Sequence, residues 1–137
     1  MKKTLLLIGL IWAAGCHASL SYRAAPDEPL NMQTAVRAEG VLHPNEMYFT
    51  LLSSYGGEQA RVIVLTDPAI KLADMTVSPS EIAVHYKEPH VPARLVQAWG
   101  KLAQDALLRP CPPRQIRAAA PAVNGIFELD VTGGVCL

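Results

Sequence analysis

The sequence predicts an α+β domain in which a curved antiparallel sheet, an incomplete barrel-like meander of 6–7 strands, packs against one amphipathic helix. Short segments with alternating apolar and polar residues are separated by turn residues, which is typical of half-buried strands. One later stretch instead has apolar residues at steps of three and four, which is typical of a helix. The length of 137 residues allows one small domain.

The N-terminus carries the pattern of an export signal. Lys2 and Lys3 precede an uncharged apolar run at residues 5–14, and small residues follow it. This order is typical of a secretory signal peptide. The run is too short for a transmembrane helix, which needs roughly 20 residues. We therefore expect residues 1–15 to be a removable signal peptide.

The residues Ala13-Ala14-Gly15-Cys16 resemble the bacterial lipobox. The resemblance implies that Cys16 receives diacylglycerol on its sulfur and, as the new N-terminus, a further acyl chain such as palmitate on its nitrogen. Two acyl chains already give stable membrane anchoring. His17 and Ala18 differ from the Asp-type residues that retain enteric lipoproteins in the inner membrane, which implies an outer-membrane lipoprotein facing the periplasm. Plain secretion, with Cys16 merely near the cleavage site, is the alternative.

Composition limits the possible partners of the remaining chain. Without Lys2 and Lys3 it has 10 basic and 12 acidic side chains, so no basic surface for nucleic acid is expected. Residues 17–31 are rich in small, polar and proline residues. We expect a lipidated tether at 16–31 and a single α+β domain at 32–137.

The strand segments follow in order along the chain. Strands are predicted at Met32–Leu42, Met47–Leu52, Arg61–Thr66, Ile70–Val77, Glu81–Tyr86 and Ile126–Val131, with one extended piece at Gln115–Ala118. The segment Arg61–Thr66 is β-branched and apolar on both faces, which favours a central position in the sheet. In the first segment Val36, Ala38, Gly40 and Leu42 share one face.

The predicted helix spans Ala93–Leu108. Its apolar face comprises Leu95, Val96, Trp99, Leu102, Ala103, Ala106 and Leu107. Pro92 suits the start of a helix, and Arg109-Pro110 ends it. Gly100, which costs roughly 1 kcal/mol relative to alanine, indicates close packing against the sheet.

Two cysteines remain once Cys16 is lipidated. In the oxidising periplasm Cys111 and Cys136 can form a disulfide bond, and closing a loop of 26 residues contributes about 3–4 kcal/mol. The alternative is two free thiols. No Cys or His lies near them at a tight metal-ligand spacing, so no metal site is predicted.

Recognised catalytic motifs are absent from the sequence. It contains no G-x-S-x-G, Walker loop, G-x-G-x-x-G or HExxH motif. His85 is interpreted as a polar-face strand residue, and Glu128 and Asp130 as a solvated face. We therefore predict that the protein is not an enzyme and has no cofactor besides the lipid on Cys16.

Three segments carry a resemblance to a known group. Phe49-Thr50-Leu51-Leu52, Val62-Ile63-Val64-Leu65-Thr66 and Val91-Pro92-Ala93-Arg94-Leu95, within an exported lipoprotein, resemble the lipoprotein carrier and receptor group of LolA and LolB. The resemblance implies a curved, incomplete barrel whose mouth is plugged by helices, with an apolar cavity that holds acyl chains.

Two function hypotheses follow. In the first, the protein binds a lipid or lipoprotein acyl chain in a cleft between sheet and helix. The candidate lining residues are Phe49, Leu51, Val62, Val64, Val84, Leu95, Trp99 and Leu102. In the alternative, the protein is a structural or assembly lipoprotein of a cell-envelope complex, which presents its sheet edge or helix to a protein partner and binds no small ligand. The Trp99 stripe is then an ordinary helix-to-sheet core.

Overall fold

The computed structural model describes residues 20–26, 35–67 and 70–133. These residues form strands β1 (Leu20–Tyr22), β2 (Val36–His43), β3 (Met47–Gly56), β4 (Gln59–Thr66), β5 (Ile70–Val77) and β6 (Ile82–Lys87), helix α1 (Ala93–Ala106), and strands β7 (Gln115–Ala120) and β8 (Gly125–Gly133). A short 3-10 helix, Pro121–Val123, joins β7 to β8. The predicted signal peptide, Cys16 and Cys136 lie outside the described residues.

The strands form one open sheet in the order β1-β6-β5-β4-β3-β2-β8-β7. All neighbours are antiparallel except β1 and β6, which are parallel. Helix α1 packs against β5, β6 and β7, which lie towards opposite ends of this order, so the sheet curves around the helix. The predicted α+β class is confirmed, although the sheet is mixed and the described part of the chain contributes eight strands to it.

Strand β1 lies in the segment predicted as tether. Leu20 is paired with Ile82 and Tyr22 with Val84, and the Arg23 amide donates to the Val84 carbonyl at 3.0 Å. A continuous tether over 16–31 is therefore wrong for residues 20–22. Three residues are too few to show a period of two, so the pattern could not reveal this strand.

One face of the sheet, here called the inner face, packs against α1. On β2 the side chains of Val36, Ala38 and Leu42 are buried, as is Gly40, which confirms the predicted alternation. On β8 the buried residues are Phe127, Leu129 and Val131. The opposite, outer face carries mainly polar side chains.

Helix α1 covers the inner face with its predicted apolar stripe. All seven predicted apolar positions are buried, although Leu107 follows the last helical residue. A Cβ added to Gly100 would lie 2.6 Å from Ile82 Cδ1, which confirms the close packing expected there. Gln104 donates its side-chain amide to the Ser78 carbonyl at 2.9 Å, which holds the second half of the helix against the turn between β5 and β6.

A register shift changes one face assignment in β6. Val84 is paired with Met75 but Tyr86 is paired with Asp74, so His85 is an extra residue in the ladder. Strict alternation over the predicted strand Glu81–Tyr86 would put Tyr86 on the same face as Ile82 and Val84, which are buried, but its ring is exposed. A bulge moves every later side chain to the other face, and local alternation does not predict it.

Candidate functional site

The eight residues predicted to line a cleft are all in the hydrophobic core. Their exposed fractions lie between 0 and 7%, and they belong to one continuous cluster shared by sheet and helix. The structure therefore brings the predicted set together. These residues form the packed interior between the helix and the sheet.

An aromatic group fills the centre of that contact. The ring of Phe49 meets the rings of Trp99 and Phe127 edge to face, with centroid separations of 5.6 Å in both cases. Gly40 faces Phe49 on the neighbouring strand, where a Cβ would lie 2.5 Å from Phe49 Cζ. The missing side chain thus provides space for the ring.

Burial of the central residues is complete. Leu51, Val62, Val64 and Trp99 have 0% exposure. A side chain with no accessible surface borders neither bulk water nor an internal space that a water molecule could enter, so these four positions have no room for an acyl chain. Within the described residues, the buried Trp99 Nε1–H has no hydrogen-bond partner, and an unsatisfied buried donor costs about 1–3 kcal/mol.

A depression of about 640 Å³ lies over β2, β8 and β7. Its lining residues are Glu39, Val41, Gln115, Ile116, Arg117, Glu128, Leu129 and Asp130. The depression forms where β8 pairs with β2, with Glu39 opposite Asp130 and Val41 opposite Glu128. Because these strands are about 90 residues apart in the chain, the sequence pattern could not place them together.

Two carboxylates that line this depression have polar partners. Glu39 contacts Arg37 Nε at 3.3 Å and accepts a hydrogen bond from the Thr50 hydroxyl at 2.8 Å. Glu128 lies 3.3 Å from His43 Nε2 and 3.9 Å from Arg117. Exposed pairs of this kind contribute at most about 1 kcal/mol. The predicted solvated face at Glu128 is confirmed, and the depression can offer polar contacts to another molecule.

Exposed apolar side chains lie beside the depression at one end of the sheet. Tyr48, which is paired with Val41, is 67% exposed, and Ile126, which is paired with His43, is 37% exposed. Ile70 lies at the same end and is 55% exposed. A protein interface combines an apolar centre with a polar rim, and this end of the sheet offers both kinds of contact.

His85 lies in a second, more open depression of about 470 Å³, near β1 and β6. Its Nδ1 lies 3.1 Å from the Arg23 carbonyl, and its Nε2 lies 2.7 Å from the Thr76 hydroxyl. In the neutral ring the carbonyl requires a proton on Nδ1, so Nε2 accepts the Thr76 proton. The side chain thereby links β5 and β6 to the segment after β1.

Arg61 and Asp74 form an ion pair on the outer face that sequence reasoning missed. Arg61 Nε donates to one carboxylate oxygen at 2.6 Å and its terminal nitrogen donates to the other at 2.7 Å. The hydrogen bond to Asp74 raises the pKa of Arg61, and Asp74 is only 2% exposed. The available signal was a single carboxylate within the apolar strand β5.

Metal and membrane features can be assessed only where the chain is described. In those residues no group of three or more His, Cys, Asp or Glu side chains could hold a metal ion. No helix there is long and apolar enough to cross a bilayer. Cys111 is exposed and is not a free thiol. Its predicted partner, Cys136, lies outside the described residues, so their pairing stays a prediction.

Comparison of the chain with protein-family models, curated proteins and solved structures finds no match. The resemblance to the LolA and LolB group therefore stays a prediction.

Proposed function

We propose that this chain is a non-enzymatic lipoprotein of the bacterial cell envelope, anchored through acyl groups on Cys16 in the outer membrane and facing the periplasm. It acts by binding a protein partner through its surface. Of the two hypotheses derived from the sequence, this is the assembly lipoprotein. The proposal does not include an acyl chain held between sheet and helix.

The close packing between α1 and the sheet favours the assembly lipoprotein over acyl binding. The positions that an internal acyl chain would need are occupied by the Phe49, Trp99 and Phe127 rings, and Leu51, Val62 and Val64 have no accessible surface. Acyl binding would require α1 to separate from the sheet, which would break the close packing between the two.

The outer surface of the domain, unlike its interior, is accessible to a protein partner. The depression over β2, β8 and β7 has a volume of about 640 Å³ and is lined by both charged and apolar side chains. Tyr48 and Ile126 extend this surface with exposed apolar area. Tyrosine at the centre of an interface often contributes strongly to affinity.

The first experiment tests acyl binding with palmitate. The full chain with Cys16→Ser, which has no lipid of its own, is titrated with palmitate while its melting temperature is recorded. A ligand that binds only the folded state stabilises it by RT ln(1 + [L]/Kd), so the melting temperature rises with ligand concentration. We expect no shift. A concentration-dependent increase that Trp99→Leu alters would contradict the proposal.

The second experiment tests partner binding with two matched tyrosines. Tyr48→Ser and Tyr55→Ser remove exposed rings at opposite ends of β3. In size-exclusion chromatography of detergent-solubilised membranes, the native chain and Tyr55→Ser should elute in one complex of fixed stoichiometry. Tyr48→Ser should shift the chain towards monomer. Elution of all three as monomers would contradict the proposal.

A further inference from the structure

We infer that the end of the sheet containing the β3–β4 turn lies against the phospholipid surface of the anchoring membrane, and that the opposite end, with Tyr48, Ile70 and Ile126, faces away from it. The inference rests on the proposed acylation of Cys16. It adds an orientation, and therefore a membrane-contacting surface, to that proposal.

The register of the strands identifies the end near the anchor. Leu20 is paired with Ile82, Ile82 with Val77, Val77 with Ala60 and Ala60 with Tyr55. These five residues form one row across the sheet. Tyr55, at the end of β3, is therefore level with the first residue of β1, and the chain before Leu20 continues from this end.

The short connection to Cys16 limits the distance to the membrane. Three residues separate Cys16 from Leu20, and four Cα steps span at most about 14 Å. Ser21 and Arg23 both contact the Glu81 carboxylate, which holds β1 to the sheet beside the anchor. The acylated residue Cys16 therefore lies within about 14 Å of Leu20, at this end of the domain.

Tyr55 is suited to the membrane surface. Its ring is 38% exposed beside the β3–β4 turn. Tyrosine is enriched where bilayer and water meet, because its ring is apolar and its hydroxyl can remain hydrated. Tyr48 lies seven residues earlier on the same strand, which places it about 23 Å away along the strand axis.

Fluorescence quenching in vesicles tests this orientation. An azide-bearing phenylalanine replaces Tyr55 or Tyr48 in the acylated full chain, and the same fluorophore is attached to each. The chains are reconstituted into phosphatidylethanolamine and phosphatidylglycerol vesicles with nitroxide-labelled headgroups. Both substituted positions are exposed and retain an aromatic ring, so neither change disturbs the core.

We expect the fluorophore at position 55 to lose most of its emission and the one at position 48 to lose almost none. The orientation would be overturned, but not the acyl anchor, if chains that float with the vesicles show equal quenching at the two positions or stronger quenching at position 48. Failure of the chain purified from membranes to float would overturn the anchor and the orientation together.

Discussion

Gly40 shows how one missing side chain shapes the core. It faces Phe49 across the β2–β3 pair, and an added Cβ would lie 2.5 Å from Phe49 Cζ and 2.8 Å from Leu129 Cδ2. The sequence predicted that Gly40 lies on the buried face of its strand. It could not predict which ring lies opposite, because that depends on register with another strand.

We expect Gly40→Ala to lower the free energy of unfolding by about 1–3 kcal/mol, since the added methyl group overpacks the aromatic centre. Equilibrium urea unfolding measures this change. Gly56→Ala is the matched control, because nothing lies within 4 Å of a Cβ at Gly56. Equal stability of the two variants would show that Phe49 does not need this space.

The Arg61–Asp74 pair gives a second prediction for individual residues. Asp74→Asn removes the charge that pairs with Arg61, whose side chain is only 17% exposed. We expect the free energy of unfolding to fall by about 1–3 kcal/mol. Glu39→Gln, on an exposed carboxylate of the same face, should change it by less than about 0.5 kcal/mol. Urea unfolding that gives Asp74→Asn the smaller effect would contradict this account.

Among the strands of the described residues, β1 is the one that sequence periodicity missed. The alternating segments and the helix were predicted close to their observed positions, because each is long enough for burial to impose a period. Strand β1 has three residues and depends on pairing with β6, which is about 60 residues later in the chain. The bulge at His85 was missed for a related reason, since it is defined only against β5.

Glu81 is expected to hold β1 in place. Its carboxylate accepts a hydrogen bond from the Ser21 hydroxyl at 2.9 Å and pairs with Arg23. In Glu81→Ala we expect faster hydrogen exchange at the backbone amides of Ser21–Arg23 and unchanged exchange in α1, because short edge strands open locally.

Mass spectrometry of exchanged peptides measures the effect of Glu81→Ala. Glu58→Ala, on an exposed carboxylate at the β3–β4 turn, provides the control and should leave β1 unchanged. Unchanged β1 exchange in Glu81→Ala would show that backbone pairing alone holds the strand.

For the whole molecule, the sequence predicted the fold class and many of the residues that form the core. It correctly predicted that the eight candidate residues lie together, because the apolar faces of helix and strands must pack against one another in the core. Whether they enclose a cavity depends on how completely their side chains fill the space. The Phe49–Trp99–Phe127 contact, which fills it, requires three distant segments to meet.

The surface assigned to a partner could not be predicted from local sequence patterns either. The depression depends on β8 joining β2 and on β7 extending that edge. Each strand alone shows only an ordinary polar face. The proposed anchor, by contrast, was inferred from the contiguous residues around Cys16.

Native mass spectrometry of the protein released from outer membranes in mild detergent tests the central claim most directly. We expect the mass of the chain from Cys16 onward with covalent acyl groups, together with one protein partner in fixed stoichiometry and no additional acyl ligand. A monomer that carries a noncovalently bound fatty acid or phospholipid would contradict the claim, because the interior between α1 and the sheet would then be a binding site.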